Sequence, residues 1–128
     1  MVLPRAEKLE SFASEVPADL RFAFDFRDKS WLCDAVFAFL RARNWAYVIH
    51  QHPHLDTHVT TTASFAYVRL HGPAEPLHET SYSPEQLAEW AQIVHGIRAR
   101  GVACHVFFLN DRFSPANAKV THALNSEI

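Results

Sequence analysis

Arg69 and His71 close the run Ala63-Ser64-Phe65-Ala66-Tyr67-Val68-Arg69-Leu70-His71-Gly72, which has the pattern of a strand carrying its chemistry at one tip. Period-two alternation puts Phe65, Tyr67, Arg69 and His71 on one face and Ala66, Val68 and Leu70 on the other. A guanidinium clamps carboxylates and phosphates, and an imidazole exchanges protons near neutral pH. Gly72 and Pro73 then end the strand. Comparable tips occur at Asp25 and Arg27, at His50, and at Asn110 and Asp111. On a parallel sheet these groups emerge along one edge, where open and barrel α/β folds hold their ligands. Arg69, His71, Asp25, Arg27 and Asn110 are therefore the candidate catalytic or ligand-binding residues, suited to a small anionic or polar molecule. The alternative is a purely structural ion ladder among Asp25, Arg27 and Arg69.

The segment His50-Gln51-His52-Pro53-His54-Leu55-Asp56-Thr57-His58 invites comparison with a metal site, since neutral imidazole is a common transition-metal ligand. Its weak candidates are His50, His52, His54 and His58. No Cys or Glu stands at a familiar ligand spacing and Pro53 breaks the local geometry, so no metal is expected. Cofactors are not expected either, because the chain has neither a Gly-rich phosphate loop nor a Gly-x-Ser-x-Gly elbow. Trp31, Trp45 and Trp90 suit the core by default, and of the three only Trp31 is placed where it could instead reach the site.

The positioning elements read as alternating helices and strands. A helix over 4–16 starts with Pro4 and stops before Pro17, and a strand over 20–27 sets Phe22, Phe24 and Phe26 opposite Ala23, Asp25 and Arg27. Ser30 caps a helix over 31–43 that ends at Asn44, and a strand spans 45–50. Residues 59–62 suggest a short extended piece before the strand 64–71, and 72–83 form a surface loop with Tyr82 folded back onto the site. Ser83-Pro84-Glu85-Gln86 is a capping box with proline at the first helical position, opening a helix over 84–99. A fourth strand covers 102–109, and Ser114-Pro115 starts a last helix over 115–126. The tetrads Arg41-Ala42-Arg43-Asn44 and Arg98-Ala99-Arg100-Gly101 each end a helix and lead into a strand, a faint internal repeat of βα units.

At 128 residues and 48% hydrophobic, the chain is sized for one domain, 1–128. A net charge of −2 gives no broad positive field for a nucleic-acid backbone. No apolar run approaches a membrane span, the Met1-Val2-Leu3-Pro4-Arg5 start has no signal-peptide pattern, and Cys33 and Cys104 lack disulfide-like spacing. A cytoplasmic protein is expected.

Three stretches resemble the YecE-like family, domain of unknown function 72, whose fold is TIM-barrel-like. Tyr67-Val68-Arg69-Leu70-His71-Gly72, with Ser81-Tyr82-Ser83 and the helix carrying Trp90, matches its most characteristic segment. Asp25-Phe26-Arg27-Asp28-Lys29-Ser30-Trp31 is similar to the family's Glu-Phe-Arg-His-Pro-Ser-Trp, keeping Phe26, Arg27, Ser30 and Trp31. Phe107-Phe108-Leu109-Asn110-Asp111 with Ala116-Asn117-Ala118 resembles its Tyr-Phe-Asn-Asn-Asp and Asn-Ala pair, with Leu109 in place of the first asparagine. The resemblance covers the C-terminal half of the family domain, and it implies half of a TIM-barrel-like α/β fold with four main strands and about four helices. A (β/α)₈ barrel takes about 250 residues, which agrees with a half. The reading that follows is an uncharacterised small-molecule enzyme or binding protein with its site at the strand tips. Its alternative is a non-catalytic, truncated scaffold or subunit. Either way, open edges and an uncovered lumen face call for a homodimer or a partner chain that completes the barrel.

Overall fold

The capping box at Ser83 sets the most regular element. Ser83 Oγ accepts from the Gln86 amide at 3.1 Å and Gln86 Oε1 accepts from the Ser83 amide at 2.8 Å, starting α3 (Pro84–Ala99) where the sequence places it. The computed structural model describes residues 4–127, with side-chain surroundings over 5–122. The reading of the first residues, Met1–Leu3, lies outside the described residues. The other elements are α1 (Pro4–Ala13), β1 (Ala23–Phe24), α2 (Asp34–Arg43), β2 (Ala46–Gln51), β3 (Phe65–Leu70), β4 (Ala103–Phe108) and α4 (Ser114–Glu127).

All strand pairs are parallel and the sheet order is β1-β2-β3-β4, with α2 crossing from β1 to β2, α3 from β3 to β4, and the irregular segment 52–64 joining β2 to β3. The register aligns His50 with Arg69 and Arg69 with Phe107. One face of the sheet, with Tyr47, Ile49, Ala66, Val68, Leu70 and Cys104, joins the core with Val36, Phe37 and Leu40 of α2 and Leu87, Trp90, Val94 and Ile97 of α3. An aromatic group extends that core under β1. Phe26 stacks on Trp31 at 4.8 Å between centroids, and Phe22 and Phe24 lie 5.1 and 5.4 Å from Trp45. Trp31 thus backs Phe26, and Trp45 and Trp90 are buried.

Both tetrads of the faint repeat end their helices in the left-handed region, Asn44 with φ 55° and Gly101 with φ 83°. Asn44 also clasps Ser64, taking its amide at 2.7 Å and donating to its hydroxyl at 3.1 Å.

Several boundaries differ from the sequence expectation, each for a local reason. The strand expected over 20–27 forms a ladder only at Ala23–Phe24, where it pairs with Ala46 and Tyr47 of β2. The helix expected over 31–43 splits: Asp28, not Ser30, caps a 3-10 turn at Lys29–Trp31 by accepting the Ser30 amide at 2.9 Å, and α2 begins at Asp34 behind Cys33. The first helix stops at Ala13, where the chain turns toward Pro17. Residues 59–62 join no ladder. Instead buried Thr62 bridges β2 by its hydroxyl, donating to the Trp45 carbonyl at 2.7 Å and accepting from the Tyr47 amide at 3.0 Å. Ser114 turns its hydroxyl to Asn110. Cys33 and Cys104 are free thiols, and among the described residues no helix is long and apolar enough to cross a membrane.

Candidate functional site

Alternation and register bring Asp25, His50 and Arg69 to the face opposite the helices, at the C-terminal end of the sheet. Asp25 is the hub. Its Oδ1 lies 3.0 Å from His50 Nδ1, and its Oδ2 accepts from Arg27 Nη2 at 3.1 Å and from Arg69 Nη1 at 2.5 Å. Its side chain is 16% exposed, whereas Arg27 and Arg69 remain 48% and 37% exposed above it. Burial alone would push this carboxyl up. The His50 hydrogen bond, the Arg27 charge and the Arg69 hydrogen bond together outweigh burial and hold it at about 2. The carboxylate is therefore ionised at neutral pH. On the core face of the sheet the Tyr47 hydroxyl is buried without a hydrogen-bond partner among the described residues, and burial with the Asp25 charge pushes its phenol up to about 12.

Beside the Asp25 cluster, past the end of β3, lies a group of buried neutral side chains. His71 continues β3 by donating its amide to the Gln51 carbonyl at 3.0 Å, and is itself buried. Its Nδ1 lies 3.0 Å from His78 Nε2, while its own Nε2 is buried without a partner among the described residues. Burial, then the charges of Arg27 and Arg69, then His78 and His52, lower the imidazole to about 4, so it is neutral at pH 7. Tyr82 folds back as expected: its hydroxyl donates to Gln51 Oε1 and accepts the Gly72 amide at 3.0 Å. Gly72 sits at φ 118°, and a Cβ there would lie 2.9 Å from Thr80 Oγ1, so only glycine fits. Asn110 is fully buried, its Nδ2 donating to the Thr80 carbonyl at 3.0 Å and to Asn117 Oδ1 at 2.7 Å, its Oδ1 accepting from Ser114.

Two depressions open at this end. One of about 570 Å³ is lined by Arg27, Lys29, His50, His54, Asp56 and His58, among others. A second of about 390 Å³ is lined by Arg69, His71, His78, Asp111 and Ser114.

A family model described as "Protein of unknown function DUF72" matches residues 2–127. The chain belongs to the DUF72 family. Its structure is similar to that of a DUF72 family protein from Thermotoga maritima, with TM-score 0.77 and 25% identity over 95% of this chain and 50% of that one. It is also similar to a DUF72 family protein from Enterococcus faecalis, seen in two crystal structures with TM-scores 0.82 and 0.83 and 17% and 16% identity. Those cover 94% and 95% of this chain and 52% and 55% of the other. This DUF72 chain thus spans about half the length of its solved relatives. No curated protein matches it.

In this DUF72 chain Asp25, Arg27 and Arg69 form one ion cluster, the ladder weighed from the sequence, with His71 alongside rather than bonded to it. Asn110 stands apart, its amide spent on tying the β4 tip to the 72–83 loop and α4. The histidines of 50–58 disperse: His50 to Asp25, His54 to Glu75, His58 onto Phe37 at 5.2 Å, and His52 edge-on to His71 at 5.5 Å. Among the described residues no three His, Cys, Asp or Glu side chains converge as a metal ligand set. Sequence reasoning weighed His50 chiefly as a metal ligand and overlooked its pairing with Asp25. The signal was present, since both residues end strands at polar tips. The Gln51–Tyr82–Gly72 clasp had no such signal.

Proposed function

We propose that this end of the DUF72 chain binds a small anionic or polar molecule, with Arg27 and Arg69 taking its negative charge. The observation that carries the reading is the layering of the ion cluster. One sheltered carboxylate oxygen orients two guanidiniums that stay substantially exposed, so two positive charges face solvent over one negative charge. Lys29 joins Arg27 in lining the larger depression, and Arg69 lines the smaller one. A ladder built only for stability gains little from arginines this exposed. Titration of the protein with inorganic phosphate, followed through the arginine Nε–H resonances, tests this. Saturable shifts that vanish in R27Q/R69Q support the site, and shifts that survive the double substitution overturn it.

An assembly reading rests on a different observation. The face of the sheet away from the helices carries Tyr67, His105 and Phe107, stacked at 5.1 and 5.9 Å, with Phe107 48% exposed. Among the described residues no further strand pairs with either edge of the sheet, and the solved relatives are about twice as long. A second copy of the chain would complete an eight-stranded barrel and set two Arg27/Arg69 clusters around one opening, whether the assembly is an enzyme, a binding protein or a non-catalytic scaffold. Sedimentation equilibrium at micromolar concentration is expected to give a dimer, and a monomer would refute this closure. The free thiols of Cys33 and Cys104 favour a reducing compartment, the cytoplasm.

A further inference from the structure

We infer that His50 is the proton acceptor of this site, acting through Nε2 on a small carboxylate- or phosphate-bearing molecule that carries an acidic O–H or C–H next to its anionic group. The inference rests on the anion-binding reading above and adds to it a chemistry and a residue.

A base needs a lone pair at a fixed place. His50 Nδ1 lies 3.0 Å from Asp25 Oδ1, and an ionised carboxylate can only accept. Whenever His50 is neutral its proton must therefore sit on Nδ1, which leaves the lone pair on Nε2. The ring is buried to 2% exposure and ends β2 beside Arg69, so its orientation is set on both sides. Nε2 has no hydrogen-bond partner among the described residues, and the residue lines the 570 Å³ depression with Arg27 and Lys29.

The other histidines at this end are engaged elsewhere. His71 has one nitrogen on His78 and the other buried, His54 pairs with Glu75, and His58 stacks on Phe37. His54 also lines the larger depression, but it is 63% exposed and meets Glu75 through Nε2, the nitrogen a base would need free; His50 is buried and meets its carboxylate through Nδ1. The step balances simply: with the ligand's anionic group on Arg27 and Arg69, its acidic proton moves to Nε2 while the bonding pair stays on the ligand. The new imidazolium is neutralised by Asp25, and the new ligand charge by the arginines and Lys29. Return of the proton to the ligand or to water restores His50.

Nitrogen-15 NMR of the histidine rings, on the full chain at neutral pH, tests this. The expected result is a His50 ring protonated at Nδ1 and bare at Nε2, with the Nε2 resonance moving as inorganic phosphate is added. In Asp25→Asn, judged folded by circular dichroism, that tautomer is lost or mixed. A wild-type His50 carrying its proton on Nε2 overturns the inference. So does an Nε2 resonance unmoved by phosphate while the arginine resonances shift, a result that leaves the anion site standing. Arginine and His50 resonances that both ignore phosphate overturn the anion site and this inference with it.

Discussion

Two neighbouring groups of polar side chains at the C-terminal end of the sheet solve the same problem in opposite ways. Around Asp25, where β1, β2 and β3 come together, one carboxylate gathers Arg27, Arg69 and His50, and the two arginines stay partly in water. Beyond the end of β3, toward β4, a neighbouring group is buried and uncharged: His71 is neutral, Tyr82 is clasped, and Asn110 and Asn117 satisfy each other and the loop. The difference follows from what covers each group. The 72–83 loop and α4 close over His71 and Asn110 through His78, Thr80 and Asn117, and an unpaired charge there would cost several kcal/mol. The arginines at Asp25 lack such a cover and remain solvated. The buried group holds the frame, and the charged group is the one proposed above to take a ligand.

The largest effect that sharpens this contrast is expected in the buried group. Asn110→Ala takes the Nδ2 donor from the Thr80 carbonyl, removes one of the two bonds to Asn117 Oδ1, which keeps the Tyr82 amide, and releases the half-buried Ser114 hydroxyl. At about 1 kcal/mol for each of the three lost bonds, the loss is about 3 kcal/mol in urea unfolding. A loss under about 1 kcal/mol would erase the assignment of this network to the frame.

Acid should act next, through His71. Its pKa is about 4 in the fold against an ordinary 6.5, so the unfolded chain binds the proton first as pH falls. Stability is full above pH 6.5 and declines toward pH 4, by about 3 kcal/mol from this residue, and His71→Asn flattens that part of the profile. In the charged group, Asp25 at about 2 against 3.8 keeps its stabilisation above pH 4 and surrenders it as pH falls toward 2. Asp25→Asn is expected to cost about 2 kcal/mol at pH 7 and to remove this lower limb. If the two limbs do not separate on these two substitutions, the groups are one electrostatic unit and the comparison fails.

Arg27→Gln and Arg69→Gln should be the mildest for folding, each under about 1 kcal/mol because the side chains are exposed, while phosphate binding is lost. Chelation followed by dialysis is expected to leave the melting temperature unchanged, since the histidines of 50–58 are dispersed. A melting temperature lowered by chelator and restored by zinc would reverse that reading.

Alternation and punctuation were legible along the chain. Ser83-Pro84-Glu85-Gln86 announced α3, Asn44 and Gly101 announced helix ends, and period-two patterns placed Arg69 and His71 at the end of β3. These are local properties, set by hydrogen bonds and sterics within a few residues of each other. The parallel order and the family followed from βα alternation and from the motifs at 25–31, 67–72 and 107–111.

Other features depended on residues far apart in sequence. Whether Asp25 would choose Arg27, Arg69 or His50 depends on side chains 2, 44 and 25 positions away, and only the packed register lets it take all three. Asn110 looked like a ligand group because its strand ends there, yet Asn117 and the Thr80 carbonyl close over it. Strand 20–27 kept its alternation and lost its ladder because a strand's length is decided by its neighbour. Local propensity thus determined the elements and their polar tips, while tertiary structure decided which tips became charged, which were buried, and which histidine Asp25 holds.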